Sequence, residues 1–312
     1  MSVLITGAGL VGSHIARLEQ EAGRTPVLFD FAPRPEALAD FVDLDKCVLV
    51  RGDVANPLDL VAAVKANGVT RIINTAAFGG LTVGSKMAPY TSTQVNVMGA
   101  ANVLEIARIM GLERVVQVSS SVLYVFSDGG QDKGQYGFEE AYPRPTTIYA
   151  ANKQAVEGLA SAYRHEYGMD VVCVRYTGVF GPWAFGGGGA LTTMFEDWLR
   201  AAMAGKPVQI AVAGDWIYSK DAAKATHLAC WAEGLQDHNF NVAMGRYNSA
   251  SQIAAAINAA VGKDVATAAP SATASNGPIM NMDRSNTQLG FQPDFPIEAA
   301  MRDYLQWIRQ HP

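Results

Sequence analysis

The chain has 312 residues, of which 49% are hydrophobic and 17% are charged, and its formal net charge is −5. This composition is typical of a folded globular protein with a sizeable core, and it excludes the disordered and fibrous classes. The charge is mildly acidic and the positive residues are scattered, so we expect no nucleic-acid partner and predict a small-molecule substrate.

A glycine loop opens the chain, between a predicted strand over residues 3–6 and a predicted helix over residues 13–21. In a dinucleotide-binding unit Gly7 permits the tight turn, Gly9 lets the backbone approach a pyrophosphate, and Gly12 lets the helix pack on the strand. The N-terminus of the helix then faces the phosphates. The pattern therefore predicts a bound dinucleotide.

A second predicted strand, over residues 26–29, leads into Asp30. An acid about 20 residues beyond the glycine loop can bond the adenosine ribose hydroxyls, and it repels a 2′-phosphate. Asp30 therefore favours NAD over NADP, although Arg34 lies close enough in sequence to reach a phosphate.

Short apolar runs continue to alternate with helical patterns through the first half of the chain. Strands are predicted over residues 47–50, 71–74, 115–118 and 171–174, and helices over residues 58–65, 94–110 and 149–167. Strands separated by helices imply right-handed crossovers and an α/β fold, a Rossmann-type doubly wound parallel sheet. The polar and small residues that follow these strands should converge on one crevice at the carboxyl ends, where the ligand binds.

The pattern changes after residue 181, where we expect a smaller lobe. The expected elements are a flexible stretch over residues 186–189, helices over residues 191–203, 251–261 and 297–309, a strand over residues 239–242 and a surface loop over residues 266–276. We predict a Rossmann domain over residues 1–180, with a returning strand near residues 239–243. A C-terminal α/β substrate lobe is predicted over residues 181–238 and 244–312.

The three cysteines, Cys47, Cys173 and Cys230, are widely spaced in apolar patterns, which indicates buried thiols in a reducing compartment. Neither they nor the five histidines have the spacing of metal ligands, so we expect no metal site. No apolar run approaches the length of a membrane span, and the first residues are typical of a strand rather than a signal sequence. We therefore expect a cytoplasmic protein without a membrane partner.

Tyr149 and Lys153 are four residues apart on a predicted helix, so they share one face of it. An ammonium group beside a phenol, together with an oxidised nicotinamide, favours the phenolate enough to make the tyrosine a base near neutral pH. A serine cluster at residues 119–121 lies upstream and can hold a substrate oxygen. The position of the pair, after the fifth predicted strand, makes it a candidate catalytic site.

These residues resemble the short-chain dehydrogenase/reductase superfamily, in its extended branch of NAD-dependent epimerases, dehydratases and some dehydrogenases. The likeness covers nearly the whole chain. Its motifs are the glycine loop, Asp53 with Val54, residues 74–77, Pro89 with Tyr90 and then Asn96, residues 119–121, residues 149–153, Arg175 with Tyr176, Gly181 with Pro182, Asn241 with Val242, and residues 289–293.

The resemblance implies a role for each catalytic residue. Tyr149 is the acid/base, Lys153 bonds the nicotinamide ribose and tunes Tyr149, and a serine hydroxyl positions the reacting oxygen. Leu123 and Tyr124 resemble the Val-Tyr-Gly segment of the branch. Counting back from them selects Ser120 as that serine, with Ser121 as the second choice.

The resemblance also implies the residues around the cofactor. They are Gly7, Gly9, Leu10, Val11, Gly12, Asp30, Asp53, Val54, Ala76, Ala77, Asn96, Tyr149, Lys153, Tyr176, Gly178 and Val179. Asn96 has an alternative role, since an asparagine in this helix can instead bond the backbone and shape the site. Trp183 and Phe185 either cover the substrate pocket or pack within the lobe.

Several departures from the branch concern the substrate. Sugar-nucleotide members usually carry asparagine and two arginines in the segments that here hold Gly178, Trp183 and Gly214. Each charged hydrogen bond contributes roughly 1.5–3 kcal/mol, so their joint absence argues against a sugar nucleotide bound in the usual manner. Dehydratases place an Asp-Glu pair where this chain has Ser121 and Val122.

The sequence therefore favours an NAD-dependent dehydrogenase for a secondary alcohol of a small polar substrate: a sugar, an aldonic acid or a hydroxy-amino acid. One alternative is an NAD-dependent sugar or nucleotide-sugar epimerase with no net redox change. The other is a non-catalytic NAD-binding scaffold or sensor on the same fold. Relatives often pair through the helices predicted over residues 94–110 and 149–167, so we expect a homodimer.

Overall fold

The structure is a computed structural model that describes residues 2–78, 81–125, 135–136, 144–184, 189–272 and 277–311. The strands, in chain order, are β1 (Ser2–Thr6), β2 (Val27–Asp30), β3 (Val48–Arg51), β4 (Val69–Asn74), β5 (Arg114–Ser120), β6 (Gln135–Tyr136), β7 (Val171–Tyr176), β8 (Val179–Phe180), β9 (Val208–Ile210), β10 (Ile217–Tyr218), β11 (Asn239–Val242), β12 (Ala266–Ala268) and β13 (Ile279–Met280).

The helices cover the sheet and build the second lobe. They are α1 (Leu10–Glu21), α2 (Pro35–Leu38), α3 (Pro57–Ala66), α4 (Leu81–Met87), α5 (Pro89–Thr93), α6 (Gly99–Met110), α7 (Val122–Val125), α8 (Ile148–Tyr167), α9 (Gly189–Met203), α10 (Ser219–Trp231), α11 (Ala250–Val261), α12 (Asp283–Gln288) and α13 (Ile297–Gln310). A 3₁₀ turn spans Leu44–Lys46, and a π-helical turn over Gln94–Met98 leads directly into α6.

The central sheet has seven strands in the order β11-β7-β5-β4-β1-β2-β3, and every neighbouring pair in it is parallel. The chain therefore leaves β1 toward β3 on one side and returns to β4 on the other. In such a sheet the ligand crevice lies where the strand order reverses, outside the carboxyl ends of the strands. The predicted Rossmann-type fold is confirmed, as is the return of β11 to the main sheet.

The apolar side chains form a core on each face of the sheet and a separate core in the second lobe. The second lobe is built mainly from α9, α11 and α13 and from the parallel pair β9–β12. The helix α10 lies within the range predicted for the substrate lobe, yet Ala222, Ala225 and Ala229 pack into the core of the sheet. The domain division at residue 180 stays a prediction, and α10 belongs by packing to the sheet.

Three local expectations differ from the structure. The first helix begins at Leu10 rather than at residue 13, so the glycine loop itself enters the helix. The surface loop predicted over residues 266–276 is wrong at its start, because Ala266 is buried and β12 pairs with β9. Cys47 is only half-buried, whereas Cys173 and Cys230 are buried as expected. Residues 186–188 and 273–276 of the expected loops lie outside the described residues.

Candidate active site

The glycine loop is tightly packed at two of its glycines and open at the third. Gly7 has a φ of +84°, and a Cβ there would lie 2.8 Å from Thr75 Oγ1 and 2.9 Å from the Ala76 nitrogen. A Cβ on Gly12 would lie 2.0 Å from the carbonyl oxygen of Gly7. A Cβ on Gly9 would meet no atom within 4 Å. The structure therefore excludes larger residues where the loop turns and packs, and it leaves a clear approach to the backbone at Gly9.

The N-terminus of α1 begins at this open position. Gly9 caps the helix with extended backbone geometry and without a side-chain hydrogen bond. The first amides of an α-helix, here those of Leu10, Val11 and Gly12, have no acceptor within the helix. They and the positive end of the helix dipole suit the phosphates of a dinucleotide.

Asp30 ends β2 and faces the loop. Its Oδ2 accepts a hydrogen bond from the Ala8 nitrogen at 2.8 Å, and its Oδ1 accepts one from the Ala32 nitrogen at 2.8 Å. These bonds fix the carboxylate beside the glycine loop. An ionised carboxylate accepts about four hydrogen bonds, so acceptor sites remain for ribose hydroxyls.

The residues predicted around the adenine and the middle of the cofactor follow β3 and β4. Asp53 Oδ1 accepts a bond from the Ala55 nitrogen at 2.8 Å, and this bond closes the turn after β3. Val54 is buried, and a Cβ on Gly99 of α6 would lie 2.8 Å from its Cγ2. After β4, Ala76 is half-buried and Ala77 is exposed.

Asn96 lies in the π-helical turn and is only 3% exposed. Its Oδ1 accepts a bond from the Phe78 nitrogen at 2.9 Å, and its Nδ2 donates to Ser92 Oγ at 3.0 Å. These contacts favour the structural alternative, in which Asn96 shapes the segment after β4. Its role toward the cofactor stays a prediction.

Ser92 also connects this turn to the helix of the catalytic pair. Asn152 lies between Tyr149 and Lys153 on α8, and its Nδ2 donates to Ser92 Oγ at 2.9 Å. Sequence reasoning missed Ser92 and Asn152. The available signal was a polar residue on the buried face of an amphipathic helix.

Tyr149 and Lys153 are brought together as predicted. Thr147 caps α8, since its Oγ1 accepts a bond from the Ala150 nitrogen at 3.2 Å. Tyr149 is 5% exposed and Lys153 is 4% exposed. Lys153 Nζ donates to the carbonyl oxygen of Val118 at 2.8 Å and lies 5.6 Å from the centre of the Tyr149 ring.

Ser120 is the serine that contacts Tyr149. It ends β5 opposite Tyr176, its Oγ accepts a bond from the Val122 nitrogen at 3.3 Å, and its hydroxyl is hydrogen-bonded to the Tyr149 phenol. Ser121 instead bonds the Tyr176 carbonyl through its backbone nitrogen at 2.7 Å. The geometry thus supports Ser120 over Ser121.

Burial sets the protonation of this site. It raises the pKa of the Tyr149 phenol above its ordinary value, and the hydrogen bond with Ser120 opposes this less strongly. Burial also lowers the pKa of Lys153 to about 8, against the smaller effect of the Glu157 carboxylate. Removal from water is thus the largest effect on the Tyr149 phenol in this structure, and the expectation that Lys153 and an oxidised nicotinamide together favour the phenolate stays a prediction.

The segment after β7 meets the crevice with packed side chains. The Tyr176 ring lies in the core and its hydroxyl is hydrogen-bonded to Thr226 Oγ1. Only the backbone of Tyr176 is therefore left to contact a cofactor. Val179 begins the short strand β8, which pairs with β10. Trp183 is buried and stacks on Phe41 with 6.0 Å between ring centroids, as the packing alternative expects. Phe185 lies outside the described residues.

One aromatic residue that sequence reasoning missed fills the space beside two glycines. A Cβ on Gly178 would lie 2.2 Å from Leu191 Cδ1 and 3.1 Å from Trp216 Cδ1. A Cβ on Gly214 would lie 2.9 Å from Cε2 and Nε1 of the same Trp216 indole. A side chain at Gly178 would require the Leu191 side chain to move, and one at Gly214 would require Trp216 to move.

Neither a metal site nor a membrane-spanning helix is found in the part of the chain that the structure describes. Within the described residues, no group of three histidine, cysteine, aspartate or glutamate residues is placed to hold a metal ion. No helix in that part of the chain is long and apolar enough to cross a membrane.

Comparisons with known proteins agree with this geometry. The model of the NAD dependent epimerase/dehydratase family matches residues 3–243. A UDP-glucuronate 4-epimerase of Arabidopsis thaliana is 28% identical over 239 residues, which are 72% of this chain and 50% of that protein. The chain thus spans about half the length of the first curated relatives that it matches.

Two solved structures match over almost their entire length. A GalE-like L-threonine dehydrogenase from Cupriavidus necator has a TM-score of 0.83 and 28% identity, covering 99% of this chain and 100% of that one. The UDP-glucose 4-epimerase of Thermus thermophilus, a complex with NAD, has a TM-score of 0.81 and 25% identity, covering 99% of each chain.

The residues present fit the cofactor of these relatives. The open backbone at Gly9, the first amides of α1 and the fixed carboxylate of Asp30 are the groups that a dinucleotide needs. The chain belongs to the NAD-dependent epimerase/dehydratase family, and its fold is that of the extended short-chain dehydrogenases.

Proposed function

We propose that the protein oxidises the secondary alcohol of a small polar substrate, and that a hydroxy-amino acid, an aldonic acid or a sugar is that substrate. NAD, when bound, supplies the hydride acceptor. As the alcohol becomes a carbonyl, its carbon loses a hydride and its oxygen loses a proton. Tyr149, Ser120 and Lys153 accept the proton and orient the oxygen.

Tyr149 takes the proton from the substrate hydroxyl. Its phenol is hydrogen-bonded to Ser120, the last residue of β5, so Ser120 can orient the same oxygen. Lys153, held by the Val118 carbonyl, supplies the positive charge that favours the phenolate. In the reverse direction Tyr149 returns the proton as a general acid.

The position of Trp216 is the observation that carries the choice of a small substrate. Its indole packs against Gly178 and Gly214, two positions where sugar-nucleotide members of the branch usually carry asparagine and arginine. An apolar ring there replaces polar side chains that would contact a nucleotide. A site without those partners favours a substrate that lacks a diphosphate.

The likeness to a threonine dehydrogenase supports the hydroxy-amino acid. The match with that structure covers 99% of this chain and 100% of that one, at 28% identity. The proposal places L-threonine and related hydroxy-amino acids first among the compounds to be tested.

An epimerase is the second candidate, favoured by the 25% identity to a UDP-glucose 4-epimerase over 99% of both chains. It would use Tyr149 and Lys153 in the same way but without net turnover of NAD.

A binding experiment tests the substrate class. UDP and UDP-glucose are titrated into the NAD-bound protein by calorimetry, beside L-threonine and an aldonic acid. We expect a small compound to bind and neither nucleotide to do so. Tight binding of UDP-glucose, followed by isomer formation, would replace the proposal by the epimerase.

We also propose a homodimer formed through α6 and α8 and a cytoplasmic location. Ala155 and Tyr167 of α8 and Ile109 of α6 are exposed, as a pairing surface requires, whereas Leu104 is buried within its own chain. Light scattering at micromolar concentration tests the dimer. A mass of 33.2 kDa, that of a single chain, would contradict it.

A further inference from the structure

The buried face of α8 carries a third titratable group beyond Tyr149 and Lys153. Glu157 follows Lys153 by four residues, as Lys153 follows Tyr149, so the three side chains share one face of the helix. The Glu157 side chain is only 9% exposed. A buried carboxylate therefore lies one helical turn beyond Lys153, at the end remote from Tyr149.

Arg175 of β7 holds this carboxylate. Its Nε donates to Glu157 Oε1 at 2.8 Å, and its Nη2 donates to Oε2 at 2.6 Å. The Arg175 side chain is 3% exposed, and its Nη1 donates to the Tyr124 hydroxyl. In the register of β5 and β7, Arg175 is paired with Ser119, the residue before Ser120. The ion pair is therefore fixed beside the catalytic residues.

Lys153 and Arg175 are two buried cations beside one carboxylate. Both Glu157 oxygens accept from Arg175, whereas Lys153 Nζ donates to the Val118 carbonyl oxygen. Burial lowers the pKa of Lys153, and the negative charge of Glu157 is the largest effect that opposes burial. Oxidised NAD carries a positive nicotinamide ring, so its binding adds a like charge that further disfavours the ammonium. The charge of Lys153 thus depends on how well Glu157 offsets these effects.

The other titratable groups near Lys153 leave this role to Glu157. Cys173 shares the face of β7 that bears Arg175, and burial raises its thiol pKa to about 12, so the thiol is neutral. Tyr124 of α7 is buried with its hydroxyl on Arg175. The remaining charged or titratable residues on the described elements that pack against α8 are exposed or bonded elsewhere: Lys86 of α4, Tyr90 of α5, Glu105 with Arg108 of α6, Arg114 of β5 with Asp170, and Tyr176 of β7 with Thr226.

We propose that Glu157 is a positioning residue of the reaction: its carboxylate, held by Arg175, keeps the Lys153 ammonium charged when NAD is bound. At a spacing of one helical turn the carboxylate acts on the ammonium through space, and burial strengthens this attraction because little water screens it. The inference rests on the proposed function in one respect, namely that Lys153 acts there through its charge. It gives the Glu157–Arg175 pair a role in the chemistry besides its contribution to stability.

An NMR titration of the lysine side chains tests the proposal without a substrate. Protein labelled with ¹³C at the lysine ε-carbons is titrated between pH 6 and pH 10, free and with saturating NAD, and the Lys153 signal is identified by its loss in Lys153→Met. Glu157→Gln removes the carboxylate charge, and Glu157→Asp keeps it. Glu166→Gln is the matched control, since it makes the same charge change at an exposed residue of α8. The double variant Glu157→Gln/Arg175→Met leaves no buried charge of the pair without its partner.

We expect Glu157→Gln to lower the pH at which Lys153 loses its proton by about one pH unit or more, with and without NAD. Glu157→Asp should titrate above Glu157→Gln, and Glu166→Gln should titrate as the wild type does. A purely structural role predicts the opposite sign, because loosened packing admits water and moves Lys153 toward its ordinary, higher pKa.

The double variant should also titrate below the wild type, and it decides the sign if Glu157→Gln does not fold. A Lys153 midpoint at or above that of the wild type in the folded variant that lacks Glu157 would overturn the proposal. Because no turnover is measured, this result is separate from whether the protein oxidises an alcohol.

Discussion

The buried ammonium of Lys153 should make the stability of the protein depend on pH in a distinctive way. Burial lowers its pKa from 10.5 to about 8 in the folded chain. Between these two values the unfolded chain binds more protons than the folded one, so the free energy of unfolding rises with pH. Below pH 8 the cost of the buried charge is present in full, and above pH 10.5 it is gone.

The size of the effect follows from the shift. Lowering the pKa of Lys153 from 10.5 to about 8 corresponds to about 3 kcal/mol in the free energy of unfolding, since one pKa unit corresponds to about 1.4 kcal/mol. Lys153 is 4% exposed, so solvent screens little of this cost. The variant Lys153→Met removes the titrating group and should lose this part of the pH dependence.

Urea unfolding at pH 7.5 and pH 10 measures the difference. Lys206→Met, at an exposed lysine, is the matched control and should keep the wild-type pH dependence. We expect the free energy of unfolding to rise more in the wild type than in Lys153→Met, by about 2–3 kcal/mol. Because only changes with pH are compared, the lost bond to the Val118 carbonyl cancels. Equal changes in both proteins would refute a buried, charged Lys153.

Two further predictions concern packing. Gly12→Ala should weaken NAD binding by about tenfold or more, because its Cβ would overlap the Gly7 carbonyl oxygen. Gly9→Ala should keep the fold, because its Cβ would meet no atom within 4 Å. Fluorescence titration measures NAD binding by both variants, and thermal melting measures their stability. Arg175→Met should reduce the free energy of unfolding by about 3–5 kcal/mol in urea, since it leaves the buried Glu157 carboxylate unpaired. Arg108→Met, which breaks a more exposed ion pair, should change it little, and equal losses would contradict the argument.

The parallel sheet and the cofactor loop could be predicted because their signals are local. Each strand of the main sheet is an apolar run between helical patterns. Neighbouring atoms leave no room for a side chain at Gly7 or Gly12, and Gly9 lies in the same short motif. The catalytic pair was equally accessible, since Tyr149 and Lys153 are one helical turn apart.

What the sequence did not reveal depends on residues distant in the chain. The strand β12 consists of Ala266, Thr267 and Ala268, which show no strand pattern of their own and pair with β9 more than fifty residues earlier. The position of Trp216 beside Gly178 likewise requires the packing of β10 on β8. The phenol pKa of Tyr149 follows burial, which only the folded chain defines.

The absorbance of reduced nicotinamide tests the net oxidation of a small alcohol most directly. Purified protein and NAD are mixed with L-threonine, other hydroxy-amino acids, aldonic acids, sugars and UDP-sugars. We predict that absorbance rises in proportion to one small alcohol and that Tyr149→Phe, still able to bind NAD, abolishes the rise. No rise with any small alcohol, together with isomer formation from a UDP-sugar, would contradict the account.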